Sequence, residues 1–187
     1  MEERLRIGIV GAGQIARTTH APAYRQRADQ VDLVAVCDPD AQRAADFAKE
    51  QGIACSYSSS AEMLANHRLD AVSVCVPNRF HAPVTIDLLR AGCHVLCEKP
   101  PAMCAREVGE MRQAATDAGR ILTFNLHWRQ TGAYRAAKRL MEDEGIGVPY
   151  HVRVHALRRR GVPGWGSFTD KTVQGGGPLI DIGVHLL

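Results

Sequence analysis

Hydrophobic positions along the first two thirds of the chain follow two alternating periods. Short runs rich in β-branched residues, RIGIV (6–10), VDLVAVC (31–37), DAVSVCVP (70–77) and HVLC (94–97), read as buried strands, with weaker strands at IACSYS (53–58) and ILTFN (121–125). Between them lie stretches with helical spacing. AQRAADFAKEQG (41–52) places Ala44, Ala45, Phe47 and Ala48 on one side before Gly52 stops it, and HAPVTIDLLRAG (81–92) is closed by Gly92. SAEMLAN (60–66) reads as a short helix, and in CAREVGEMRQAATDAG (104–119) Val108, Met111 and Ala115 recur at i, i+3 and i+7. GAGQIARTTH (11–20) turns straight from strand into helix, which Pro22 is expected to end while beginning another short one. Six strands with five helical connections predict an α/β protein, a doubly wound parallel sheet of Rossmann type over residues 1–124.

Past residue 124 the texture changes. A polar helix is expected over roughly 130–144, an alternating strand at PYHVRVHAL (149–157), and a loop rich in Gly, Pro and Arg over 158–177. The chain then reads GGGPLIDIGVHLL (175–187). Pro178 suits the first position of a helix, in which Asp181 and His185 share one face. One helix and one strand cannot bury themselves, so residues 125–187 are expected to be the start of a second α/β domain with an open sheet, incomplete here.

The 187 residues carry 23 Lys+Arg against 20 Asp+Glu, and a net charge of +3 is too mild to point to nucleic acid. The opening MEERLRIGIVGAG breaks at glycine too early for a secretory signal, and no 18-residue apolar run points to a membrane. The six cysteines sit mostly in or beside apolar runs, as buried reduced thiols do, which makes the cytoplasm the expected compartment. Cys93 and Cys97 share a strand face from which His94 points away, and with no second cluster to complete a tetrahedral site no metal is expected.

The chemistry concentrates at strand ends. In GIVGAGQIA, Gly8, Gly11, Gly13 and Ala16 make the G-x-G-x-x-A form of the dinucleotide fingerprint. Gly11 permits the tight turn, Gly13 lets backbone approach a pyrophosphate, Gln14 and Ile15 open the helix whose N-terminus faces it, and Ala16 allows close helix–sheet packing. Asp38 follows at the end of the second strand, 22 residues after Ala16, where a carboxylate accepts the ribose hydroxyls of NAD and repels the 2′-phosphate of NADP. Arg43 is near enough to reach a phosphate, which keeps NADP open beside the favoured NAD. VPNRFHAP (76–83) and HVLCEKPPA (94–102) also fall at the carboxyl edge. There the Lys99 ammonium, between Glu98 and Pro100, is suited to hold a substrate hydroxyl, although on spacing alone it reads as a surface lysine in a turn.

The series GIVGAGQIA, CDPD, VPNRFHAP, CEKPPA and GGGPLIDIGVH, in this order, resembles the Gfo/Idh/MocA family of NAD(P)-dependent oxidoreductases, which includes glucose–fructose oxidoreductase and inositol dehydrogenases. The resemblance covers essentially the whole chain. It implies a nicotinamide domain followed by an α/β domain on a large open sheet, acting on sugars, cyclitols or related polyols. By the same resemblance Lys99 is the EKP lysine, Asp181 and His185 are the acidic and basic pair of the chemistry, Pro77, Asn78 and His81 line the nicotinamide side, and Glu98 is close to the cofactor. Relatives continue for about as much chain again as a typical domain, and associate as homo-oligomers through that sheet.

In TFNLHWRQ (123–130), Asn125, His127 and Arg129 share a face if the segment is extended, and then touch substrate or form a domain hinge. The run Arg158, Arg159 and Arg160 reads as an anion contact or, more commonly, a solvated strand end, while Trp165 and Lys171 lie in the loop feeding the catalytic helix as substrate-contacting candidates. The reaction expected is hydride transfer between a secondary alcohol and the nicotinamide. The alternative is an NAD-binding module without catalysis, either a redox-sensing regulator or a truncated inactive product.

Overall fold

The computed structural model describes residues 4–143, 147–155, 157, 161, 164 and 166–186. Six strands, β1 (Leu5–Val10), β2 (Val31–Cys37), β3 (Cys55–Tyr57), β4 (Ala71–Val74), β5 (His94–Cys97) and β6 (Leu122–Phe124), form one sheet in the order β3-β2-β1-β4-β5-β6. Every pairing is parallel, and β1 lies between β2, with Val10 opposite Cys37, and β4, with Val10 opposite Val74. This is the doubly wound Rossmann arrangement that the alternating periods predict.

Side chains on successive strand residues point to opposite faces, and each face has its own core. On one face Ile9 and Val36 pack with Ala16, Ala21 from α1 (Ala21–Arg25) and Phe47 from α2 (Ala41–Gln51). On the other, Val10, Val72, Val74 and Val95 pack with Met63 from α3 (Ser60–Asn66), Leu88 and Leu89 from α4 (His81–Arg90), and Met111 from α5 (Ala105–Ala118). The helices that follow β1 and β2 thus cover one face, and those that follow β3, β4 and β5 cover the other. Among the described residues, no helix is long and apolar enough to cross a membrane.

The structure departs from the sequence pattern in several places. Pro22 does not end the first helix. Ala16–His20 is a π-helical turn, in which the Ala21 N–H donates five residues back to Ala16 O, and α1 continues from it with Pro22 in its first turn. The wider turn accommodates a residue that has no N–H to donate. A second departure is PYHVRVHAL: residues 149–155 carry no strand, and Tyr150 and Val152 are exposed, because no neighbouring strand among the described residues offers them a ladder. The expected polar helix is present as α6 (Gly132–Asp143), which buries none of its residues, and the expected loop contains a short helix, α7 (Lys171–Gln174). Finally, the helix begun by Pro178 lasts one turn, α8 (Pro178–Asp181), before a 3-10 turn over Gly183–His185, so Asp181 and His185 do not share a continuous α-helical face.

Phe47 is fully buried and Ile121 is 66% exposed. Phe47→Ala is expected to lower unfolding stability by about 3–5 kcal/mol through the cavity it leaves, whereas Ile121→Ala stays within about 0.5 kcal/mol. Denaturant unfolding followed by circular dichroism checks both.

Candidate functional site

At the carboxyl edge of the sheet, where the strand order reverses between β1 and β4, a cavity of about 780 Å³ opens. That lies within the range of about 300–1,000 Å³ common for small-molecule sites. Gly11 makes the turn out of β1 with φ +97°, and a Cβ there would lie 2.6 Å from Cys75 O, so no other residue fits without moving backbone. Gly13 has the opposite surroundings. A Cβ on it meets nothing within 4 Å and Gly13 lines the cavity, so the missing side chain leaves a cradle open to a ligand at the start of a helix. Gln14 and Ile15 line the same edge, but Ala16 is fully buried against the sheet and does not reach the cavity. Its side chain is packed at the helix–sheet contact, where a small residue lets the helix come close.

Asp38 also lines the cavity but is already engaged. Its Oδ2 accepts the Ala12 N–H at 3.0 Å and its Oδ1 the Asp40 N–H at 2.9 Å, so the carboxylate ties the end of β2 to the glycine turn. Arg43 sits 3.7 Å from Asp38 Oδ1 and donates to Asp40 at 2.9 Å, which leaves its guanidinium held by two carboxylates.

Past β4, the Asn78 side-chain amide donates to Gln174 O at 2.9 Å and tethers α7 to the 3-10 turn Asn78–Phe80. His81 is fully buried beneath this turn, with Nδ1 2.7 Å from Pro100 O and Nε2 2.9 Å from Val76 O. Burial holds its imidazole below the ordinary histidine value while both carbonyls pull the other way, and because each ring nitrogen faces an acceptor, a neutral ring donates to the loop after β4 or to that after β5, and a protonated ring to both. Pro77, Asn78, His81, Glu98 and Lys99 line one end of the cavity, while Asp38, Arg43 and Ser58, Ser59 and Ser60 line another part of it.

Two successive residues after β5 point different ways. Glu98 is buried, and its Oε1 accepts from His20 Nε2 at 2.8 Å and from Asn125 Nδ2 at 2.7 Å. Burial pushes the Glu98 carboxyl up, but these hydrogen bonds more than reverse it, leaving it below its ordinary value. Lys99 reaches across to the C-terminal segment, where Nζ donates to Asp181 Oδ1 at 2.5 Å and to Asp181 O at 3.0 Å. The two side chains are 21% and 19% exposed, so the pair is sheltered yet opens on the cavity that both residues line.

His185 lies beside this pair without lining the cavity. Its ring stacks on Trp128 with centroids 4.7 Å apart and planes at 20°, and meets His127 edge-on at 5.0 Å. The ring is buried, and its Nδ1 has no hydrogen-bond partner among the described residues. Desolvation, helped by the Lys99 and His127 charges, depresses its pKa.

Asn125, His127 and Arg129 do not share an extended face, since His127–Gln130 is a 3-10 turn closed by the Arg129 N–H on Leu126 O at 3.0 Å. Instead Asn125 serves Glu98, His127 serves His185, and none of the three lines the cavity. Lys171 is exposed at the start of α7 and is likewise outside it. Trp165 and Arg158, Arg159 and Arg160 lie outside the described residues. Trp128 carries no signal in an extended reading of this segment, which points to the residues on either side of it. His20 had a signal: Ala16, His20 and Tyr24 recur every four residues on the helix face that packs on the sheet.

Known proteins match this arrangement over both parts of the chain. A family model described as "Oxidoreductase family, NAD-binding Rossmann fold" matches residues 5–126, and one described as "GFO/IDH/MocA C-terminal domain" matches residues 134–187. D-glucoside 3-dehydrogenase of Escherichia coli is 45% identical over 98% of this chain and 52% of its own length. The 1,5-anhydro-D-fructose reductase of Ensifer adhaerens is 38% identical over 96% of the chain and 54% of its own. The chain thus spans about half the length of the curated relatives it matches. Among solved structures, GenD2 from gentamicin A biosynthesis, in complex with NAD, superposes with a TM-score of 0.85 at 30% identity over 99% of this chain and 52% of that one. The WlbA dehydrogenase of Chromobacterium violaceum, in complex with NADH and UDP-GlcNAcA, gives 0.74 at 30% identity over 78% and 42%.

The depressed His185 pKa fixes the sign of a pH effect. The unfolded chain takes up this proton at higher pH than the folded one, so the contribution of His185 to stability falls as pH drops below roughly 6.5. An NMR titration is expected to place the His185 midpoint below the ordinary histidine value, and Trp128→Ala, which exposes the ring, to move it back up.

Proposed function

Because the chain belongs to the Gfo/Idh/MocA family of oxidoreductases, we propose that it takes part in reversible hydride transfer between a secondary alcohol of a sugar, cyclitol or related polyol and NAD. The observation that carries this reading is the Lys99–Asp181 pair, which sets an ammonium and a carboxylate 2.5 Å apart at the rim of a cavity whose other side is the glycine turn. In this reading residues 1–124 form the cofactor unit, and the substrate unit begins at 125.

The cavity residues fit a dinucleotide. Gly11, Gly13, Gln14 and Ile15 would hold the pyrophosphate at the helix N-terminus, where N–H groups and the helix dipole favour an anion. Asp38 would take the ribose, and Pro77, Asn78, His81 and Glu98 would bound the nicotinamide end. NAD is favoured over NADP because Asp38 is fixed there as an acceptor and Arg43 is committed to Asp38 and Asp40. When bound, the nicotinamide supplies the hydride acceptor or donor.

The remaining work falls to this chain's own side chains. Lys99 would hold the substrate oxygen and stabilise the negative charge that develops on it as its proton leaves. Asp181 holds the ammonium in place and aims it. His185, its ring clamped by Trp128 and its Nδ1 unpartnered among the described residues, would receive the hydroxyl proton, and its depressed pKa keeps it neutral and ready to accept. A second reading, an NAD-binding module without turnover, is favoured by one observation: α6 buries no residue, and residues 147–155 are exposed throughout.

Titration with NADH, followed by nicotinamide fluorescence, is expected to saturate, and a panel of sugars and cyclitols is expected to contain at least one that reduces NAD at 340 nm. Saturable binding with no turnover on any member supports the module instead. On a turned-over substrate, Lys99→Met is expected to lower kcat by about 10²–10⁴-fold, the range for loss of a positioned acid–base or charge-stabilising group, with NADH affinity little changed. Asp38→Ala is expected to weaken NAD, and unaltered affinity would remove the ribose assignment.

A further inference from the structure

A chain of buried polar groups runs through the sheet behind the site, and the chemistry above does not use it. Ser73 in β4 is fully buried, and the period of two turns it away from the Val72 and Val74 core toward α1. Its Oγ lies 2.6 Å from Tyr24 Oη and 3.0 Å from His20 Nδ1, and His20 Nε2 lies 2.8 Å from Glu98 Oε1. One direction satisfies every group. Tyr24 O–H donates to Ser73, Ser73 O–H to Nδ1 of a neutral His20, and its Nε2–H to Glu98. The π-helical turn Ala16–His20 brings His20 into this position, and Asn125 donates to the same carboxylate oxygen at 2.7 Å.

A buried carboxylate is seldom the most stabilising choice for such a position, so its retention calls for a role. Glu98 lines the end of the cavity assigned above to the nicotinamide. Beyond the His20 ring, the groups that face it offer its charge little compensation. Lys99 is paired with Asp181, His81 and His185 have pKa values held below the ordinary value, His20 has its second ring nitrogen on the Ser73 hydroxyl, and burial raises the Cys75 and Cys97 thiols, the latter to about 12.

We propose that the Tyr24–Ser73–His20 chain fixes a negative charge at Glu98 and thereby makes the site prefer the oxidised, cationic nicotinamide over the neutral reduced ring. His20 is then a positioning residue. The proposal rests on the cofactor reading, and the test separates the two. Dissociation constants for NADH, by fluorescence, and for NAD, by competition, are measured from pH 5.5 to 8.5 on the unaltered chain and on variants.

Glu98→Gln is expected to weaken NAD relative to NADH by roughly fivefold or more, the scale of one unit charge several ångströms away in a partly screened site. His20→Ala is expected to move the ratio the same way, and most strongly at low pH, where a carboxylate with one donor fewer takes up a proton. His20→Gln, whose amide still donates to Glu98, is expected to restore most of the ratio. An unchanged ratio in folded His20→Ala at every pH overturns the proposal and leaves cofactor binding standing, whereas no NADH binding by the unaltered chain overturns both. If His20→Ala does not fold, Tyr24→Phe breaks the chain more mildly. A ratio that then moves in neither Tyr24→Phe nor Glu98→Gln overturns the proposal equally.

Discussion

Parallel strands are joined by crossovers, and those crossovers have one hand. With the order β3-β2-β1-β4-β5-β6, the chain builds outward from β1 to β3 and then returns to place β4 on the other side of β1. Keeping the same hand sends the helices after β3, β4 and β5 to the opposite face from those after β1 and β2, as the two cores record. Above the reversal no helix can cap both β1 and β4, and a crevice opens at their carboxyl ends. The cavity, the glycine turn and the Lys99 rim all follow from that geometry.

The end of β5 shows how much one strand terminus carries. Cys97 enters the core beside Met111, Glu98 turns to the α1 face and into the His20 chain, and Lys99 leaves the sheet for the cavity. Three consecutive residues therefore serve packing, a buried carboxylate network and an ammonium at the cavity, because strand alternation and then the strand's end point each elsewhere. The C-terminal segment is fastened partly here. Lys99 holds Asp181 from 82 residues away in sequence, and Asn78 holds the Gln174 carbonyl from 96. A hydrogen bond to a charged group contributes about 1.5–3 kcal/mol net, enough to place a short segment that buries little of itself.

Strand runs, helix faces and glycine stops were legible along the chain because each depends on residues within a turn or two of one another. So were the glycine turn and the strand-end positions of Asp38, Glu98 and Lys99, and the motif resemblance extended these to Asp181. The π-helical turn at His20, the 3-10 break before His185 and the 3-10 turn at Trp128 were not legible, since local propensity there yields to partners far off in sequence. The strand missing over residues 149–155 has the same cause in reverse: the alternation there is real, but a strand needs a neighbour, and none of the described residues supplies one. By itself the sequence determined the period of each element, hence the sheet and the residues at its carboxyl edge. Only the tertiary structure decided which polar atom meets which, that Asp38 ties down the glycine turn and that Glu98 shares a buried network with Tyr24, because hydrogen-bond partners are chosen by proximity in space across dozens of residues that no local pattern encodes.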